Sequence, residues 1–149
     1  MSAIDTAVRV NRVIPGAQAD VFAAWTDQKL FQKWFAPDTY DVTEIDIDVR
    51  VGGHHRTTVV GPDGGRHTTT GVYTEFDPPK RLAMTWNYTG EHPDAQAEES
   101  LLLVEFIALD AGTTEVRLTH DRMLTVRARE NVRGGWAGCL DKLEAMFAR

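Results

Sequence analysis

The chain has a single cysteine, Cys139, among its 149 residues. No internal disulfide can form, and cysteine spacing offers no metal cluster. Basic residues are also in deficit: 16 Lys and Arg against 22 Asp and Glu leave a net charge of −6. Without a basic stripe, neither nucleic acid nor an anionic membrane surface is an expected partner. No apolar run approaches the roughly 18 residues that a membrane-spanning helix needs. The opening MSAIDTAVRV lacks the cationic flank and apolar core of a secretory leader, so the expected location is cytoplasmic. The common enzyme signatures are missing as well: no G-x-S-x-G, no phosphate-binding loop, no G-x-G-x-x-G and no H-E-x-x-H. Repeats, low-complexity tracts and long linkers are absent too, so residues 1–149 read as one domain.

What is present is an ordinary globular composition, 42% hydrophobic and 26% charged. A chain of this length buries roughly 70% of its unfolded surface and needs no staple. Ala7 to Ile14 alternates like a strand and stops at Pro15-Gly16. Helical spacing follows, with Asp20 as N-cap and Val21, Phe22 and Trp25 on one side. A second short helix spans Gln28 to Phe35 and is closed by Pro37. Six strands in a meander come next: Val42–Val51, His54–Val60, His67–Phe76, Leu82–Tyr88, Leu101–Leu109 and Glu115–His120. Gly52-Gly53 and Pro62-Asp63-Gly64-Gly65 supply turns between them. Such short connections require antiparallel pairing, because parallel strands need long crossovers.

The last element is a long amphipathic helix, Val126 to Phe147. At 100° per residue, Ala128, Val132, Trp136, Cys139, Leu140, Leu143, Met146 and Phe147 share a face; Arg127, Glu130, Asp141 and Glu144 lie opposite. A sheet with one apolar face must be covered, and this helix is the element long enough to do so. The expected fold is therefore α+β, a seven-stranded curved antiparallel sheet wrapped on the C-terminal helix, with two short helices after the first strand. Gly134, Gly135 and Gly138 interrupt that helix at about 1 kcal/mol each. Packing or a kink is the plain reason; room for a ligand beside Gly135 is the sharper one.

Several segments together resemble a known family. They are Val21-Phe22-Ala23-Ala24-Trp25-Thr26-Asp27, Leu30 with Trp34-Phe35-Ala36-Pro37, Val51-Gly52-Gly53, and Glu75-Phe76-Asp77-Pro78-Pro79-Lys80-Arg81-Leu82 with Met84-Thr85-Trp86. Thr113 to His120, and Gly135-Trp136 with Leu140 and Leu143, complete the match. The family is the one named for the activator of the ninety-kilodalton heat-shock protein's ATPase, within the START-like (SRPBCC) helix-grip superfamily. The resemblance implies a deep apolar cavity between sheet and long helix that holds a small apolar molecule. The family's name alone implies a chaperone partner.

The candidate site residues are Trp34, His55, Thr57, Trp86, Tyr88, Phe106, His120, Trp136, Cys139 and Leu140. Strand parity puts His55, Thr57, Thr85 or Tyr88, and His120 on the cavity wall, while the aromatics supply apolar lining. His120 shares its parity with Val116 and Leu118 and is the one candidate for acid–base chemistry. Cys139 reads as a small buried hydrophobe. The histidines His54, His55, His67, His92 and His120 show no tetrahedral spacing, so neither a metal nor a cofactor is expected. The acidic stretch from Glu91 to Glu105 reads as a solvated loop, with a lid as the alternative. Basic side chains outnumber acidic ones from Arg117 onward, which admits a homodimer interface. Three functions follow: ligand binding first, then a chaperone-regulating protein-binding module, then an enzyme using His120 on a polyketide-like or carbonyl substrate.

Overall fold

The computed structural model describes residues 5–36, 39–90 and 98–148. Its elements run β1 (Val8–Ile14), α1 (Gln18–Thr26), α2 (Gln28–Trp34), β2 (Asp41–Ile47), β3 (His54–Val60), β4 (Arg66–Asp77), β5 (Arg81–Gly90), β6 (Ser100–Asp110), β7 (Thr113–Asp121) and α3 (Val126–Phe147). The seven strands form one antiparallel sheet in the order β1-β7-β6-β5-β4-β3-β2. Strands β2 to β7 pair as a meander, and β1 closes against β7 with Val8 opposite His120. Irregularities in register at Val42/Glu44, Tyr73/Glu75 and Ala108/Asp110 bend the sheet, as bulges do. The fold is the α+β arrangement expected, with α3 spanning the residues its periodicity indicates.

Local chemistry differs from expectation at three points. Asp20 sits inside the first turn of α1, whose N-cap is Ala17 with no side-chain bond. The capping aspartate is Asp27, which accepts from the backbone of Lys29 and Leu30 and so starts α2 within a residue of α1's end. Strand β2 stops at Ile47, well short of Val51. Residues 48–53 form a wider turn in which Gly52 alone holds a left-handed φ of +86°, and Val51 is exposed. Pro37, expected to close α2, lies outside the described residues.

The main core cluster lies between sheet and helices, and Val8, Met123 and Ala128 form a smaller second one. Trp25 and Trp34 from α1 and α2 meet with ring centroids 4.6 Å apart, and Phe106 of β6 stands edge-on to Phe22 at 5.1 Å. Trp34 is fully buried, and its indole N–H donates to the carbonyl of Ala24 at 2.8 Å. Leu82, Leu102, Val104, Val116 and Leu118 carry the inward parity of β5, β6 and β7 against this cluster. The second half of α3 locks on through Leu140 and Leu143, both fully buried. Arg12 of β1 adds ion pairs to Asp141 at 2.6 Å and Glu144 at 3.1 Å. The first half of α3 lies on a different footing, and the candidate site is found there.

Candidate functional site between α3 and the sheet

A cavity of about 530 Å³ lies between the first half of α3 and the inner faces of β3, β4 and β5. Period-two spacing builds the sheet side: Thr57 and Val59, His67 and Thr69, Trp86 and Tyr88 each stand two residues apart on successive strands. Ser100 and His120 close the β6–β7 end, and Phe35, Ala36 and Tyr40 contribute from beside α2. The helix side runs from Glu130 to Cys139. Exposed Glu130 and Gly134 mark where this wall reaches solvent.

Three rings frame the apolar interior. Trp86 and Trp136 meet with centroids 5.4 Å apart, and Phe35 lies 6.0 Å from each. Trp136 is backed by Trp25 in a stacked arrangement at 5.7 Å, so the frame leans on the solid core. A Cβ added at Gly134 or Gly135 would meet nothing within 4 Å. Close packing therefore does not explain these glycines, which leave open space beside the helix.

One hydrogen-bonded chain fixes the two tryptophans. The indole N–H of Trp136 donates to His120 Nδ1 at 3.0 Å, and His120 Nε2 lies 2.7 Å from Ser100 Oγ. The Ser100 hydroxyl donates to the carbonyl of Trp86 at 3.1 Å. An indole nitrogen can only donate, so Nδ1 carries the lone pair and the ring proton sits on Nε2. Burial pushes the His120 pKa down to about 4, with Asp121 opposing, so the ring is neutral at pH 7. Both ring nitrogens are engaged by protein groups, and no lone pair faces a guest. The arrangement does not fit the acid–base role considered for His120; it makes this residue a bracket between helix and sheet.

A second polar pair sits on the neighbouring strands. His67 Nδ1 lies 2.6 Å from the Tyr88 hydroxyl, with the two rings stacked at 5.9 Å. Tyr40 approaches His67 at 5.8 Å. Cys139 lines the cavity as a thiol whose pKa burial raises to about 12, against a lowering by the Ala36 backbone, so no thiolate is available near neutrality.

The predicted site residues divide between two layers. Thr57, Trp86, Tyr88, His120, Trp136 and Cys139 meet on the cavity wall. Trp34, Phe106 and Leu140 instead fill the core behind it, because their side chains face α1, α2 and the inner strands. His55 belongs to a deeper layer as well, beside a void of only about 10 Å³, where its Nε2–H donates to the Thr85 carbonyl at 2.9 Å. Its pKa is lowered by burial. Thr85 turns to the other face, where its hydroxyl accepts from the Val72 backbone, leaving Tyr88 as the wall residue of that pair. Glu130, expected opposite the apolar face, stands at the cavity margin.

Ser100, His67 and Thr69 were not singled out as wall residues, although parity on β4 points to the last two. Phe35 and Tyr40 join the wall only through the chain's path in space. His54 pairs with exposed Asp46 at 3.1 Å on the outer face, while His55 is buried, as alternation demands. Among the described residues, no three His, Cys, Asp or Glu side chains gather as metal ligands. His92, Glu91 and Asp94, and with them the lid reading, lie outside the described residues.

The family model described as Activator of Hsp90 ATPase homolog 1-like protein matches residues 17–148. The chain belongs to this family. No curated protein matches the sequence. Among solved structures, protein CV1439 from Chromobacterium violaceum is similar at a TM-score of 0.84 and 22% identity, covering 97% of this chain and 99% of that one. The AHSA1 protein from Silicibacter pomeroyi gives 0.80 and 23%, covering 95% and 97%. CalU16 from Micromonospora echinospora gives 0.71 and 21%, covering 95% and 76%. Likeness at these identities shows the fold alone. Among the described residues, no helix is long and apolar enough to cross a membrane.

Proposed function

We propose that this protein binds a small, apolar, aromatic-bearing molecule in the cavity between α3 and strands β3 to β5. One observation carries the reading: Phe35, Trp86 and Trp136 frame about 530 Å³, and at Gly134 and Gly135 α3 leaves open space beside it. That size falls within the roughly 300–1,000 Å³ of small-molecule sites. Burying ~200 Å² of apolar ligand surface supplies about 5 kcal/mol at ~25 cal/mol per Å², from which the cost of association is subtracted. Thr57, Thr69 and Tyr88 orient the guest, and the Trp136–His120–Ser100 chain holds the frame in shape beforehand.

The test is native mass spectrometry of protein purified without detergent, paired with titration of an aromatic compound panel followed by indole fluorescence. Wild type should carry or take up a small molecule with a change in emission. Gly135→Leu should lose uptake while keeping its circular dichroism, because the new side chain projects into the cavity and suits a helix better than glycine. A wild-type protein that neither carries nor takes up any member of the panel overturns the proposal.

A further inference from the structure

We propose that the cavity selects uncharged aromatic guests and rejects anionic ones, a selectivity that rests on the binding function proposed above. The carriers of charge along the wall point that way. Among its described residues the wall holds no lysine or arginine, and its one carboxylate is Glu130 at the solvent margin. Arg127, a turn earlier on α3, is not part of it. The two histidines on the wall already face protein partners: His120 lies between Trp136 and Ser100, and His67 Nδ1 meets the Tyr88 hydroxyl. The other polar groups on the wall are the hydroxyls of Tyr40, Thr57, Thr69 and Tyr88 and the carboxamide of Asn131, all uncharged. Hydroxyls satisfy a phenol, ketone or amide, but they do not neutralise a carboxylate or sulfonate.

An anion entering this wall would lose its hydration against indole and phenyl rings without gaining a counter-ion. It would also pass Glu130, which adds repulsion. The net charge of −6 acts in the same direction at longer range. A neutral ring system of the same shape meets none of these penalties. The inference therefore places fatty acids and aromatic acids outside the ligand class, and neutral planar molecules bearing hydroxyl or carbonyl groups inside it.

Two dyes with one skeleton test this. N-phenyl-1-naphthylamine is neutral, and 8-anilinonaphthalene-1-sulfonate adds a sulfonate to the same rings. Wild type should bind the neutral dye at least tenfold more tightly, with Gly135→Leu weakening it. Gly134→Lys places a cation at the margin, where an added side chain meets no neighbour. It should tighten the sulfonate dye threefold or more relative to the neutral dye, so that the ratio of the two affinities narrows. Equal affinity of wild type for both dyes overturns the selectivity while the binding function stands. A gap that Gly134→Lys does not narrow also overturns it, since the origin would then not be charge. Failure of wild type to bind the neutral dye overturns the selectivity, and the binding function falls with it only when no member of the compound panel is taken up.

Discussion

His120 shows what one buried side chain does to the whole stability curve. Its folded pKa, about 4, lies below its ordinary 6.5 because burial disfavours the cation. Between those values the unfolded chain takes a proton that the folded protein refuses. The contribution is therefore fully present above about pH 6.5 and is lost as pH falls toward 4. The shift corresponds to about 3 kcal/mol over that window. Urea melts at pH 7 and pH 5 should show wild type losing more stability on acidification than His120→Gln does. His55, also depressed by burial, leaves a smaller slope of the same sign in the variant. Identical slopes in the two proteins would mean that His120 titrates as it does in water. Sequence alternation placed His120 on the inner face correctly. It carried no trace of the bond to Trp136, which arises from a contact between α3 and the sheet, nor of Ser100 as the third member.

At the scale of elements, α3 has two halves with different duties. Leu140 and Leu143 anchor the second half in the core, whereas the first half forms a cavity wall around Gly134 and Gly135. Leu143→Ala should destabilise the protein by about 2–5 kcal/mol, the range for a truncated core leucine. Arg12→Ala should lose no more than about 1 kcal/mol, since Asp141 and Glu144 remain 69% and 45% exposed and water screens the ion pairs. Chemical denaturation of both variants checks the ranking, and the reverse order would contradict the division. The strands and all three helices were legible because hydrophobic period and turn residues agree along most of the chain. The end of β2 was not, because Val49 and Val51 continue an alternation that the turn at residues 48–53 breaks. The start of α1 was hidden for a related reason. Asp20 looks like a cap, yet the chain enters the helix at Gln18 without one.

Over the whole molecule, the inner sheet face is divided between a packed region and a cavity. Parity could say that Trp34, Phe106 and Leu140 point inward, but not which inward side chains meet other side chains and which meet space. That distinction depends on how far α1 and α2 reach beneath the sheet, a matter of long-range packing. A guest that binds only the folded state adds its binding energy to the global stability, about 2.7 kcal/mol at one hundred times Kd. Saturating N-phenyl-1-naphthylamine should therefore raise the Tm of wild type by several degrees, with the upshift absent in Gly135→Leu. A thermal scan reads this directly, and equal upshifts in the two proteins would place the dye elsewhere.

The split between buttress and hollow has a consequence for inheritance. Strength resides in Trp25, Trp34, Leu140 and Leu143, while Thr57 and Thr69 line the cavity outside the hydrophobic core cluster. Under the proposed binding function, a lineage can exchange Thr57 or Thr69 and acquire a new appetite without endangering the frame. Architecture endures in such a molecule while the lining of its hollow is free to drift.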